Sequence, residues 1–270
     1  MRRRCALVDD ISRHQAVLRQ LDIVGQVTAP ELADRFGVSL VTVRKDLHTL
    51  EGRGALRRVR GGAVARTQLD EGAFEVRRRF AREQKEAVAT AAAAVVSPGD
   101  TIVIDASTTG YHLARELVDV QNLVVITNGM RTGMLLMEQS TAMVIMAGGE
   151  VRRAAGSLVG RSGAELAGRG RVDHGFFGVK GVCLERGLLD AAEEEAAAKR
   201  GLADICAQVH GIFDATKLPG SGEFSFAAPG RITSLFTDTA AAPDLVEAWR
   251  DRGVSVVPAE ARPADGVGGS

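Results

Sequence analysis

Gly37 constrains this chain more than any other residue, because it separates two stretches with helical apolar spacing, Pro30 to Phe36 and Leu40 to Glu51. Glycine takes the left-handed conformation needed just past a helix end, and Ser39 can cap a new helix by accepting a backbone N–H. The spacing therefore predicts two helices meeting at a tight turn. The first tolerates Pro30 in its opening turn and aligns Leu32, Ala33 and Phe36 on one side. The second points Val43, Leu47 and Leu50 at a core, at i, i+4 and i+7, and turns Val41, Arg44, Lys45 and His48 away from it. After Gly52 and Gly54, the run Leu56-Arg57-Arg58-Val59-Arg60 into Gly61-Gly62 reads as a basic hairpin or wing rather than another helix.

A helix pair with a basic outer face followed by a basic wing suits a DNA duplex. The second helix would enter the major groove with Ser39, Val41, Thr42, Arg44, Lys45 and His48, while Arg57, Arg58 and Arg60 of the wing meet phosphates. Charge supports this division. The formal net charge is zero, but residues 1–66 carry +6, residues 67–86 balance, and residues 87–270 carry −6. A positive end gains from counterions released by a polyanion. Two recognition helices reading two half-sites multiply specificity, so a homodimer or homotetramer is expected.

At 270 residues the chain has material for two modest domains. Cys5, Cys183 and Cys206 are odd in number and widely spaced, which argues against a disulfide framework and for a reducing compartment. The Met1-Arg2-Arg3-Arg4 start is interrupted by Asp9-Asp10 and no apolar run has membrane length, so the reading is cytoplasmic with no membrane partner.

A helix over Ile11 to Gln26 is expected to brace the other two. Gln26-Val27-Thr28 would be a short strand pairing with the wing, and Thr28 would cap the helix opened by Ala29-Pro30. The boundaries read as 1–66 for the DNA-binding module, 67–82 for a solvated helical linker, 83–262 for a second domain and 263–270 for a loose tail.

From Thr101 onward, β-branched runs alternate with helical stretches. Strands are expected at Thr101 to Ile104, Leu123 to Ile126, Met143 to Met146, Gly175 to Val179, Val209 to Phe213, Ile232 to Phe236 and Val254 to Val257. Helices are expected at Ala87 to Val96, His112 to Val118, Arg131 to Gln139, Arg161 to Gly168, Ala191 to Ala207 and Asp244 to Arg250. This is an α/β domain with a mainly parallel, buried sheet.

In such sheets ligands bind beyond the carboxyl ends of the strands. Asp105-Ala106-Ser107-Thr108-Thr109-Gly110 follows one strand and opens a helix, offering hydroxyls and N–H groups to an anion without a P-loop lysine. Thr127-Asn128-Gly129 and Ala147-Gly148-Gly149 end the next two strands, with Arg152 just beyond, and Asp214-Ala215-Thr216-Lys217 ends a later one. Together they suit a phosphorylated polyol. The scattered histidines His14, His48, His112, His174 and His210 lack metal spacing, so no metal or cofactor is expected, and Glu193-Glu194-Glu195 reads as a solvated helix face.

The run Val38-Ser39-x-x-Thr42-Val43-Arg44-Lys45-Asp46-Leu47 through Arg60-Gly61-Gly62-Ala63 closely resembles the winged helix-turn-helix of the DeoR family of bacterial transcriptional regulators. Lys45 stands where a second Arg is usual, and Arg60 where His usually precedes the paired glycines; both keep a donor and bear on operator preference. The pattern Lys85, Asp105, Ser107-Thr108-Thr109, Thr127-Asn128, Gly148-Gly149, Gly160, Asp173, Gly181, Glu185, Gly187, Lys199, Asp214 and Lys217 is similar to the DeoR sensor domain. That domain is related in fold to ribose-5-phosphate isomerase and glucosamine-6-phosphate deaminase. Ser107 replaces the glycine that most members carry before the paired threonines.

The resemblance implies a repressor of a carbohydrate-metabolism operon whose operator affinity responds to a sugar phosphate held by those positions. The alternative is an active sugar-phosphate isomerase or deaminase with a DNA-binding appendage. Isomerisation needs a positioned acid and base. Asp173, Glu185, Lys199, Asp214 and Lys217 supply the types, but Asp173 is followed three residues on by Phe176 instead of a second Asp, so a non-enzyme is expected.

Overall fold

The computed structural model describes residues 13–14, 16–17, 20–21, 26–52, 56–65, 74–153, 155–160, 166, 171–218 and 222–260, in two compact units that divide between Arg77 and Arg78. The tail, residues 67–73 of the expected linker and most of the helix expected at Arg161 to Gly168 lie outside the described residues.

The first unit orders β1 (Gln26–Thr28), α1 (Ala29–Phe36), α2 (Leu40–Gly52), β2 (Leu56–Val59) and β3 (Gly62–Ala65). The described residues between 13 and 21 are helical, and Val17 and Leu21 are buried with Leu32, Val43, Leu47, Leu50 and Leu56. Gln26 opens a strand instead of closing that first helix; β1 pairs with β3 (Gln26↔Val64), which pairs with β2. Thr28 and Glu31 close a reciprocal capping box, and Gly37 takes φ +64°.

Helix α3 (Phe74–Arg79) spans the division between the units. In the second unit, α4 (Arg82–Ala93) leads into β4 (Thr101–Ile104), α5 (Thr108–Glu116), β5 (Val124–Thr127), α6 (Met130–Gln139) and β6 (Met143–Met146). A hairpin of β7 (Glu150–Arg152) and β8 (Ser157–Val159) follows, then β9 (Val172–Phe177), β10 (Gly181–Cys183) and β11 (Gly187–Asp190). The chain continues through α7 (Glu193–Asp204), β12 (Cys206–Ile212), β13 (Phe224–Ala227), β14 (Ser234–Asp238), α8 (Pro243–Arg250) and β15 (Ser255–Ala259).

Seven strands form one parallel sheet in the order β15-β14-β12-β9-β4-β5-β6. Its side chains alternate between two cores, as the two-residue period of a strand requires. Ile102, Ile104, Val125, Phe176, Ile212 and Phe236 pack under the helices of one face, and Val103, Ile126, Phe177, Val209 and Leu235 under those of the other. Small residues set the close approach of α4, whose Val88, Ala89 and Ala92 are fully buried.

Apart from the helix expected at Arg161 to Gly168, which lies mostly outside the described residues, the expected strands and helices of this unit are present with shifted ends. The helix after β4 starts at Thr108 rather than His112, and α7 stops at Asp204, because Cys206 and Ala207 already belong to β12. Two accessory sheets were not anticipated: β7-β8, and β10-β11-β13. Their strands have three or four residues, too few for a two-residue period to stand out.

Candidate nucleic-acid interface and effector crevice

On α2, Asp46 is buried and ion-paired with Arg13 (2.5 Å) and His14 (3.1 Å), which anchors the helix from behind. Burial alone would raise the Asp46 pKa, yet Arg13 and His14 hold it below the usual carboxylate value. Sequence reasoning missed this residue, since its partners lie more than thirty positions away. With the inner face fixed, Val41, Arg44, Lys45 and His48 form an exposed stripe at i, i+3, i+4 and i+7. Ser39 Oγ caps the helix by accepting from Thr42 N–H at 3.1 Å, so Ser39 and Thr42 shape the helix start.

The wing joins this face through Glu51, whose Oε1 accepts from Arg58 N–H at 2.9 Å, and Arg58 Nη1 lies 3.4 Å from His48 Nδ1. Arg58 and Arg60 are exposed. The side chain of Arg57 lies outside the described residues. An exposed apolar and cationic stripe beside a basic two-stranded wing has the dimensions and charge to lie in a major groove and touch flanking phosphates.

In the second unit, the chain leaves β4 to add β5 and β6 on one side, then returns to add β9 on the other. This reversal makes the carboxyl ends of β4 and β9 the place where a crevice opens. Asp105 ends β4 there, fully buried; its Oδ1 accepts from Ser107 N–H (3.1 Å) and its Oδ2 from Gly178 N–H (3.0 Å), just past β9. Gly178 must lack a side chain, since an added Cβ would stand 2.3 Å from Ser107 Cβ.

Lys199 of α7 locks the crevice floor. Its ammonium lies 3.0 Å from Asp105 Oδ2 and 2.7 Å from Asp190 Oδ2, and donates to the Gly178 carbonyl at 2.7 Å. Burial would lower the pKa of this lysine, but Asp105, Asp190 and Glu195 together raise it, and the Asp190 carboxyl is held low against its own burial by the same charge. All three ammonium hydrogens are thereby engaged, so Lys199 holds the loops rather than offering a free cation to a ligand. Asp190 was missed in the sequence.

Above this floor, Ser107 Oγ accepts from Gly110 N–H at 2.9 Å and caps α5. Thr108 and Thr109 are buried in the first turn, and among the described residues their N–H groups have no acceptor. Thr127 and Asn128 sit beside them but brace the loops: Thr127 Oγ1 accepts from Gly129 N–H, while the Asn128 amide accepts from Ala106 N–H and donates to the Leu158 carbonyl. Asp214 lies two strands away, ~10 Å by strand spacing. Its Oδ1 caps the short turn that carries half-buried Lys217, while Oδ2 is buried without a hydrogen-bond partner among the described residues.

The remaining expected residues divide. Gly148 and Gly149 are exposed beyond β6, next to the β7-β8 hairpin. Arg152 donates to Glu195 Oε1 at 2.9 Å, and Ser157 Oγ donates to the same oxygen. Glu195 is therefore buried and not part of a solvated acidic face. Asp173 does not join the crevice: it accepts from Thr101 N–H at the amino edge of the sheet, four residues and ~13 Å along β9 from Phe177. Glu185 is exposed in the turn of the β10-β11 hairpin. A separate concavity of about 850 Å³ between α4, α5 and the end of β15 mixes Arg79, Arg82 and Arg115 with Glu83, Glu86 and Glu116, which gives an anion no single-signed field.

Residues 13–68 match the DeoR-like helix-turn-helix domain, and residues 81–239 match the DeoR C terminal sensor domain. The chain belongs to the DeoR family. It is 34% identical to the HTH-type transcriptional regulator GolR of Listeria innocua, over 92% of this chain and 98% of that protein. It is 27% identical to the glycerol-3-phosphate regulon repressor of Escherichia coli K12, over 84% and 90%. Among solved structures, ribose 5-phosphate isomerase from Plasmodium falciparum is similar over 49% of this chain and 51% of that chain, at 13% identity and a TM-score of 0.37, a likeness that carries no functional weight. This DeoR-family chain thus carries the DNA-binding and sensor modules of a transcriptional regulator. Among the described residues, no helix is long and apolar enough to cross a membrane.

Proposed function

We propose that this DeoR-family regulator is a cytoplasmic repressor of a carbohydrate-metabolism operon, and that a phosphorylated sugar held at the crevice beyond β4 and β12 changes its affinity for operator DNA. The observation that carries the DNA-binding half is the exposed stripe Val41, Arg44, Lys45 and His48 beside Arg58 and Arg60. For the ligand half, the open N–H groups and hydroxyls of Thr108 and Thr109 fit a phosphate, and the unpartnered Asp214 Oδ2 is an acceptor that a sugar hydroxyl would satisfy. Relatives named for a glycerol-3-phosphate regulon and an aga operon support a carbohydrate metabolite. Catalysis fits less well: Asp173 and Glu185 stand away from the crevice and Lys199 has no donor left, so these acid–base candidates do not converge on one bound carbon.

An effector shifts operator affinity only by binding the DNA-competent and DNA-incompetent arrangements unequally. Two measurements test the halves separately. Arg44→Ala is expected to weaken operator binding by about 1–3 kcal/mol, roughly 5- to 150-fold in a gel-shift titration; unchanged binding would show that the groove face is assigned wrongly. Thr108→Val with Thr109→Val is expected to leave operator binding intact and abolish release by the metabolite. A melting screen against phosphorylated sugars identifies that metabolite, because saturation to 100 times Kd stabilises the folded state by about 2.7 kcal/mol.

A further inference from the structure

Five of the six methionines of this chain lie on one edge of the second unit. Met130, Met134 and Met137 form a stripe at i, i+4 and i+7 on the outer face of α6, and Met143 and Met146 belong to β6, the last strand of the large sheet. All are exposed, Met137 at 68% and Met143 at 63%. Helix α6 packs on the face of β6 that carries Met146, where a Cβ on Gly133 would stand 2.3 Å from Met146 Sδ, while Met143, three residues earlier on the strand, points to the opposite face of the same edge. Met130, Met134, Met137 and Met146 together give that face a contiguous exposed apolar patch.

The strand itself is also unfinished. Met143 N–H and Ala147 N–H bond inward to β5, so by alternation the N–H groups of Val144 and Met146 point outward. Among the described residues, no strand pairs with that side. Edge strands are ordinarily blunted by charge, proline or a covering element. The sequence Met-Val-Ile-Met has neither charge nor proline.

We propose that this methionine-lined edge, α6 together with β6, is the face on which a second copy of the chain docks. Two features select a copy of the same chain over an unrelated partner. A two-fold axis normal to the sheet would set β6 antiparallel to its own copy and bring the two α6 stripes together, satisfying both open edges at once. The rim carries both signs, Arg131 and Arg153 with Glu138 and Glu150, so the face meets itself without net repulsion. Pairing also joins two winged modules, one for each half-site, a consequence that rests on the DNA-binding reading above.

Sedimentation equilibrium of the full chain without DNA or effector tests the interface independently of that reading. The parent is expected at two chains or a multiple of two, and Met134→Glu with Met137→Glu, on an exposed helix face that folding does not need, at half the parent mass with unchanged circular dichroism. Amide exchange at Val144 and Met146 is expected to be slow in the parent and at least tenfold faster in the double variant. Met146→Pro, which deletes one outward N–H, should also lower the mass. A monomeric parent, a double variant of unchanged mass, or equal exchange at Val144 and Met146 in both proteins overturns the proposal.

Discussion

Replacing Lys199 with methionine is expected to destabilise the sensor unit by about 3–5 kcal/mol, which lowers its melting temperature on the order of 10 °C. The size follows from what stays behind. Asp105, Asp190 and the Gly178 carbonyl would remain buried after losing their shared donor, and an uncompensated buried charge costs more than the intact pair contributes. The sign test is a triple variant: adding Asp105→Asn and Asp190→Asn to Lys199→Met removes the stranded charges and should recover part of the loss. Calorimetry of the three proteins measures both effects. A Lys199→Met protein melting within 2 °C of the parent would show that the ammonium does not hold the crevice floor. Because the lysine joins the ends of β4, β9 and β11, the same change is expected to abolish stabilisation by the effector, while residues 26–65 retain their fold.

What could be read in the sequence follows the range of the interactions involved. The turn at Gly37, the capping by Thr28 and Ser39, and the inward placement of Val43, Leu47 and Leu50 depend on neighbours within one or two helical turns, and the structure places them as the spacing predicts. The sheet was legible because parallel buried strands leave short β-branched runs between helices. Glu195 was misread because three glutamates in the first turn of α7 match what a helix dipole favours on a solvated face, whereas its partner Arg152 lies 43 positions earlier in an unanticipated hairpin. Asp173 precedes the strand expected from Gly175 and is the second residue of the observed β9, so strand direction puts it near the amino edge either way; only the family resemblance grouped it with the crevice. Lys199 had the right neighbourhood and a different job, a distinction visible only once its three acceptors were in place.

Acid is expected to expose a second buried weakness. His210 of β12 packs beside both the Phe176 and His174 rings of β9, 5.0 and 5.3 Å between centroids, with Nε2 3.1 Å from His174 Nδ1 and Nδ1 without a hydrogen-bond partner among the described residues. Burial first, and the neighbouring His174 second, push its pKa down to about 4 from the ordinary 6.5. A base depressed in the folded state is neutral in both states above pH 6.5. As the pH falls from 6.5 toward 4, the unfolded chain takes up a proton that the folded one refuses, so the stability contributed by the neutral ring is progressively lost, up to about 3 kcal/mol. The depressed Asp46 and Asp190 carboxyls lose their contribution lower on the scale, which leaves pH 7 to 4.5 as the window for histidine. His112, also depressed by burial, titrates in the same direction and is common to parent and variant. Urea unfolding at pH 7 and 4.5 should therefore show the parent losing about 2 kcal/mol more than His210→Gln across that interval. Equal losses in the two proteins would mean that the folded sheet admits a charged imidazole at this position.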